Sequence, residues 1–83
     1  MYAPGCPARS LAGHDKDRYY MIWSVDADYV MLVDGRIRTT DRPKRKKKKH
    51  IQAGKTALLP GLPATDEAIR RALEDYMNSH RSI

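Results

Sequence analysis

The chain has 83 residues, a formal charge of +6 at pH 7 and a single cysteine. That length holds one small domain with a modest core, and Cys6 alone provides neither an internal disulfide nor a CxxC zinc site, which suits a reducing cytoplasmic setting. No apolar run approaches the roughly 20 residues of a membrane-spanning helix, and no signal-peptide pattern opens the chain, so no membrane partner is expected.

Residues 1–7 (MYAPGCP) carry two prolines and a glycine and read as extended or turn-like, frayed at the start. Residues 8–12 (ARSLA) suit a short strand, with Pro7 acceptable only at an edge or at a strand's first position, because it lacks the amide donor. Residues 13–18 (GHDKDR) are a polar turn opening on a glycine. Residues 19–24 (YYMIWS) then read as a strand with Tyr20, Ile22 and Ser24 on one face and Tyr19, Met21 and Trp23 on the other, both faces covered. The turn VDAD and the strand YVMLV at 29–33 complete a hairpin. Asp34 and Gly35 suit a two-residue type I′ turn, after which the alternation of Arg36 and Arg38 with Ile37 and Thr39 reads as a further strand.

That strand leads into the most concentrated charge in the chain, Arg42 to His50 (RPKRKKKKH). The block holds Arg42, Lys44, Arg45, Lys46, Lys47, Lys48 and Lys49, so removing its charge from the formal +6 leaves −1 for everything else. Several ammonium groups cannot lose water together without partners, so the block must be solvated or held against a polyanion. Past it, His50, Ile51 and Gln52 read as a brief closing strand and residues 53–64 as a connecting segment rich in Gly and Pro. Thr65 stands at an N-cap position with Asp66 and Glu67 in the first turn, and Ile69, Ala72, Leu73 and Tyr76 form one apolar stripe on a helix over 65–78.

Three groups of residues carry a likeness to a known family. They are Ser10, Leu11, Ala12 and Gly13 leading into the first turn with Asp15, Lys16, Arg18 and Tyr19; Asp34, Gly35 and Arg36 at the second; and Pro43, Lys44, Arg45, Lys46 and Lys47 followed by Lys49 and His50. With these in order, and with Thr65 to Leu73 near the C-terminal end, the chain resembles the KOW-domain family, in particular small bacterial RNA-binding proteins related to a large-subunit ribosomal protein of archaea and eukaryotes. The resemblance implies a mainly β fold: a small SH3-like β-barrel over residues 1–52, a linker over 53–64 and a C-terminal α-helix over 65–78, binding RNA, usually ribosomal RNA. Two positions depart from the family's pattern. Asp17 stands where a second glycine is usual, a place Asp can occupy at positive φ. Pro7 and Ala8 replace branched apolar residues, which is expected to weaken the first strand and leave one barrel edge poorly paired.

The expected function is non-catalytic binding of ribosomal RNA or the large ribosomal subunit through a basic loop, without a cofactor or metal. Arg42, Lys44, Arg45, Lys46, Lys47, Lys48, Lys49 and His50 would meet phosphates, together with Arg36 and Arg38. An isolated lysine run is as often a solvated tail, but the sheet leading into this one favours binding. Seven engaged charges would give a log–log salt slope of roughly −5 to −6, and replacing residues 46–49 by Gln is expected to leave the fold intact. Base or sugar contacts fall to His14, Lys16 and Arg18 in the first turn and to Tyr19, which either stacks on a base or packs on the protein; Tyr20 and Trp23 read as core. Asp15, Asp17, Asp26 and Asp28 lack the order of a calcium loop and read as solvated turn carboxylates, and Cys6 has no visible orienting base. The rival reading is a protein-interaction module whose apolar helix docks on a partner such as a ribosomal protein.

Overall fold

In the computed structural model, which describes residues 2–80, the alternation of aromatic and branched residues forms the central hairpin of an antiparallel sheet. Strand β2 (Tyr19–Val25) runs against β3 (Tyr29–Val33), with Met21 opposite Val33 and Ile22 opposite Leu32. On the far side of β2 lies β1 (Pro7–Ser10), and β5 (Ile51–Ala53) pairs with β1. On the far side of β3 lies β4 (Lys44–Lys47), giving the order β4-β3-β2-β1-β5. One 3-10 turn, Lys48–His50, carries the chain from β4 at one edge to β5 at the other. So short a connection forces the sheet to curl until its edges approach, although β4 and β5 are not joined by a ladder among the described residues.

The curl encloses one apolar face, where Ala8, Tyr20, Ile22, Val30, Leu32 and Ile51 form a buried cluster. The opposite face is covered by α1 (Asp66–His80), which sets Ile69 and Leu73 against Met21 and Val33. Leu58, Leu59 and Leu62 of the connecting segment fill in beside them, so residues 53–64 pack on the sheet. Each fully buried side chain of this kind contributes about 1.5–3 kcal/mol. Thr65 caps the helix, its Oγ1 accepting from the Ala68 amide at 3.1 Å.

The expected fraying at the start falls on Met1, outside the described residues. Three other expectations are corrected. Residues 36–39 are not a strand: the Asp34 carboxylate accepts from the Arg36 and Arg38 amides at 2.8 and 2.9 Å, so the backbone is satisfied locally and 34–43 is a loop. Of the Asp34-Gly35 pair only Gly35 has positive φ, at 78°, so the turn is not type I′. A bulge between Ile22 and Ser24 sets Ser24 opposite Met31 and turns Val25 toward the enclosed cluster, away from the alternation expected for β2. Pro7 occupies the first position of β1, and the ladder runs around it: its carbonyl accepts from the Gly54 amide at 2.8 Å, and that of Cys6 accepts from Ile22 at 2.9 Å. The strand expected to leave an open edge is interior, paired on both sides.

Loop 34–43 lies directly against the start of α1, where Asp66 Oδ1 accepts from the Thr40 amide at 2.8 Å. A Cβ on Gly35 would collide with the backbone of Asp66 and Arg70. Gly35→Ala should therefore cost about 2–4 kcal/mol, combining left-handed strain with overpacking, read as a lowered urea midpoint.

Candidate nucleic-acid interface

The basic block is not the loop expected: although lysine is a poor strand former, residues 44–47 form strand β4, because Tyr29 to Leu32 of β3 offer a free edge. Pairing sets Lys46 opposite Val30 and Lys44 opposite Leu32, on the enclosed face, while Arg45 and Lys47 point outward. A single strand thereby sorts the block into two populations.

The inward pair converges on Asp15 in the first turn. Lys46 Nζ donates to Asp15 Oδ1 at 2.7 Å and to the Ala12 carbonyl at 2.8 Å, and Lys44 Nζ lies 3.4 Å from Oδ2. Ser10 Oγ and the Tyr20 hydroxyl each donate to the same carboxylate at 2.8 Å. Asp15 is 8% exposed, which corrects its reading as a solvated turn carboxylate. Burial pushes its carboxyl up, but the hydrogen bonds from Lys46, Ser10 and Tyr20 and the charge of Lys44 outweigh that and hold it well below the usual carboxylate range. Burial, and then the bond to Asp15, push the Tyr20 phenol well above its ordinary value. The Lys46 side chain is 10% exposed. It is a structural clamp, so replacing 46–49 would remove a buried ion pair at this residue as well as solvent-facing charge.

The outward residues keep their charge in solvent. The Arg45 guanidinium lies over the Tyr29 ring, 3.7 Å from its centroid. Lys47 and Lys49 are exposed, and with Asp28, Tyr29 and Lys48 they line a groove of about 390 Å³ at the end of β4. Lys48 is held: its amide donates to the Asp28 carbonyl at 3.0 Å, its Nζ to the Ala27 carbonyl at 2.9 Å, and the same ammonium stands 5.5 Å from the Tyr2 ring centroid. His50 is half-buried and its carbonyl accepts from Leu11 at 2.8 Å.

The other expected contacts are dispersed. His14 and Lys16 are exposed in the Asp15 turn, and Asp17 there has φ 73°, as a glycine substitute should. Arg18 and Arg36 line a separate cleft of about 330 Å³ beside α1, together with Asp17, Asp34 and Glu74, so charges of both signs meet there. Tyr19 lines that cleft too, half-buried with its ring centroid 6.0 Å from that of Tyr76. Arg42 is exposed and Arg38 half-buried in loop 34–43. Trp23 is only partly buried, and Cys6 is a buried free thiol. The sequence assigns Asp28 and Tyr29 only a turn and a strand role; their place in this groove follows from the β3–β4 pairing, which the sequence does not display.

Among the described residues no group of three or more His, Cys, Asp or Glu is placed to hold a metal ion, and no helix is long and apolar enough to cross a membrane. The sequence matches no protein-family model and no curated protein.

Removing the Asp15 carboxylate strands two lysines and two hydroxyls, so Asp15→Ala should cost about 3–5 kcal/mol by urea denaturation. Because the folded-state value of Asp15 is lowered, its contribution is complete above about pH 4 and is lost as the pH falls below that. The urea midpoint of the native chain should drop between pH 5 and pH 2.5 more steeply than that of Asp15→Asn.

Proposed function

We propose that this chain is a non-catalytic RNA-binding module, a KOW-type SH3-like barrel with a C-terminal helix, that binds ribosomal RNA of the large subunit through its basic edge strand. The observation that carries this reading is the sorting of the basic block. Lys44 and Lys46 are tied internally to Asp15, while Arg45 and Lys47 on β4 and Lys49 in the turn that follows stay exposed. Cations fixed on a strand present phosphate partners at a defined spacing, with less side-chain and backbone freedom to lose on binding than a solvated tail has. Five short antiparallel strands around one enclosed core, with a connection between the edges only three residues long, support the barrel reading. The ribosomal assignment rests on the sequence resemblance.

Docking of the helix on a partner protein is the weaker alternative, because α1 already spends Ile69 and Leu73 on its own sheet.

With three outward cations engaged in place of seven, the log–log salt slope of RNA affinity should be about −2 to −3. A variant carrying Arg45→Gln, Lys47→Gln and Lys49→Gln should retain the native melting curve, lose most of that slope, and release from large subunits at lower salt in sedimentation. Unchanged affinity and slope would move the contact surface elsewhere.

A further inference from the structure

Phosphate contacts give register without base preference, so the groove at the end of β4 raises a separate question. Its wall contains an acidic group. Asp28 lines the groove with Lys47, Lys48 and Lys49, and among the described residues its carboxylate makes no ion pair and accepts no hydrogen bond. A surface aspartate gains little by closing onto any of the three neighbouring ammonium groups. Asp28 is instead held beside them by its backbone, through the Lys48 amide at 3.0 Å, and its turn is pinned by Lys48 Nζ on the Ala27 carbonyl at 2.9 Å. The carboxylate is thus positioned, exposed and unspent.

The aromatic wall of the same groove is Tyr29, whose ring is backed by the Arg45 guanidinium at 3.7 Å. Rings and guanidinium planes are the surfaces on which unpaired bases stack. The groove's volume, about 390 Å³, falls within the range of small-ligand sites, about 300–1,000 Å³. One stacking wall, flanking cations and one acceptor-only group define what fits. A carboxylate offers two acceptor oxygens and no donor. Guanine alone presents two adjacent N–H donors on its Watson–Crick edge. Adenine and cytosine each set a ring-nitrogen acceptor beside their amino group, and uracil sets carbonyls on both sides of its single N–H, so each meets the carboxylate with a repulsive acceptor.

We propose that this groove binds an unpaired guanine nucleotide, its base stacked on the Arg45–Tyr29 pair, its N1–H and N2–H donated to Asp28, and its flanking phosphates held by Lys47 and Lys49. The proposal rests on the RNA-binding reading and goes beyond it by moving base selection from the first turn to the opposite end of β4.

The test uses the full chain and short oligoribonucleotides, each with one guanosine, inosine, adenosine or cytidine between runs of three uridines, followed by fluorescence anisotropy at low salt. The guanosine oligomer should bind about tenfold more tightly than the adenosine one, the discrimination of a bidentate pair, with inosine, which lacks the N2 amine, in between. Asp28→Ala should abolish that preference, and Tyr29→Leu should weaken all four oligomers by about tenfold or more through lost stacking. Equal binding of all four oligomers, a guanine preference that survives in Asp28→Ala, or an Asp28→Ala affinity that rises uniformly would each overturn the base-reading role and leave phosphate binding standing. If neither the oligomers nor structured ribosomal RNA bound in a salt-dependent way, the RNA-binding reading itself would fall.

Discussion

The Asp15 carboxylate is the constraint on which the rest of the structure depends. It sits in the turn between β1 and β2 and is reached by Lys44 and Lys46 from β4, two strands beyond β2 in the sheet. An isolated buried carboxylate would be costly, and so would lysines lying over an apolar core. Together they satisfy one another: the lysine stems run beside Val30 and Leu32, while their ammonium groups find Asp15 and the Ala12 carbonyl. This interaction ties β4 to the first turn and reinforces both the curl that the short connection imposes and the face that the register with β3 turns to solvent.

The same interaction explains how a run of cations tolerates being a strand. An edge strand exposes unpaired backbone groups, and lysine there discourages pairing with another chain. Alternation does the rest, because every second residue points away from Asp15 and is left to water. Arg45 and Lys47 are left to solvent by that alternation, and Lys49 is exposed in the 3-10 turn that follows. Lys48 occupies an intermediate position, tying the Ala27 and Asp28 turn to the basic segment and thereby shaping the groove beside it.

Much of the site's logic was hidden by its own composition. Asp15 looked like any charged turn residue, since nothing in GHDKDR distinguishes the carboxylate that will be buried from Asp17 beside it, which is exposed. The basic block was recognisable as the dominant electrostatic feature, but its division into structural and solvent-facing cations depended on a register with β3 that the sequence does not display. The sequence points to His14, Lys16 and Arg18 as base or sugar contacts from the first turn and to Arg36 as a phosphate contact, whereas the fold places Arg18 and Arg36 together in a mixed-charge cleft beside the helix.

The sequence by itself determined the local elements whose periodicity is strong: the β2–β3 hairpin and the capped helix with its Ile69 and Leu73 stripe. These depend on neighbours within a few residues, so they can be read along the chain. The tertiary structure decided that 36–39 is a loop and that lysines form β4, both against local propensity, and that the strand opened by Pro7 is interior to the sheet. The lysines and Pro7 are set by partners far along the chain, Tyr29 to Leu32 and Gly54, whereas 36–39 loops because Asp34 satisfies its amides locally, in a way the alternation does not reveal. Long-range pairing and the need to satisfy buried charge outweigh the roughly 1 kcal/mol per residue that propensity supplies.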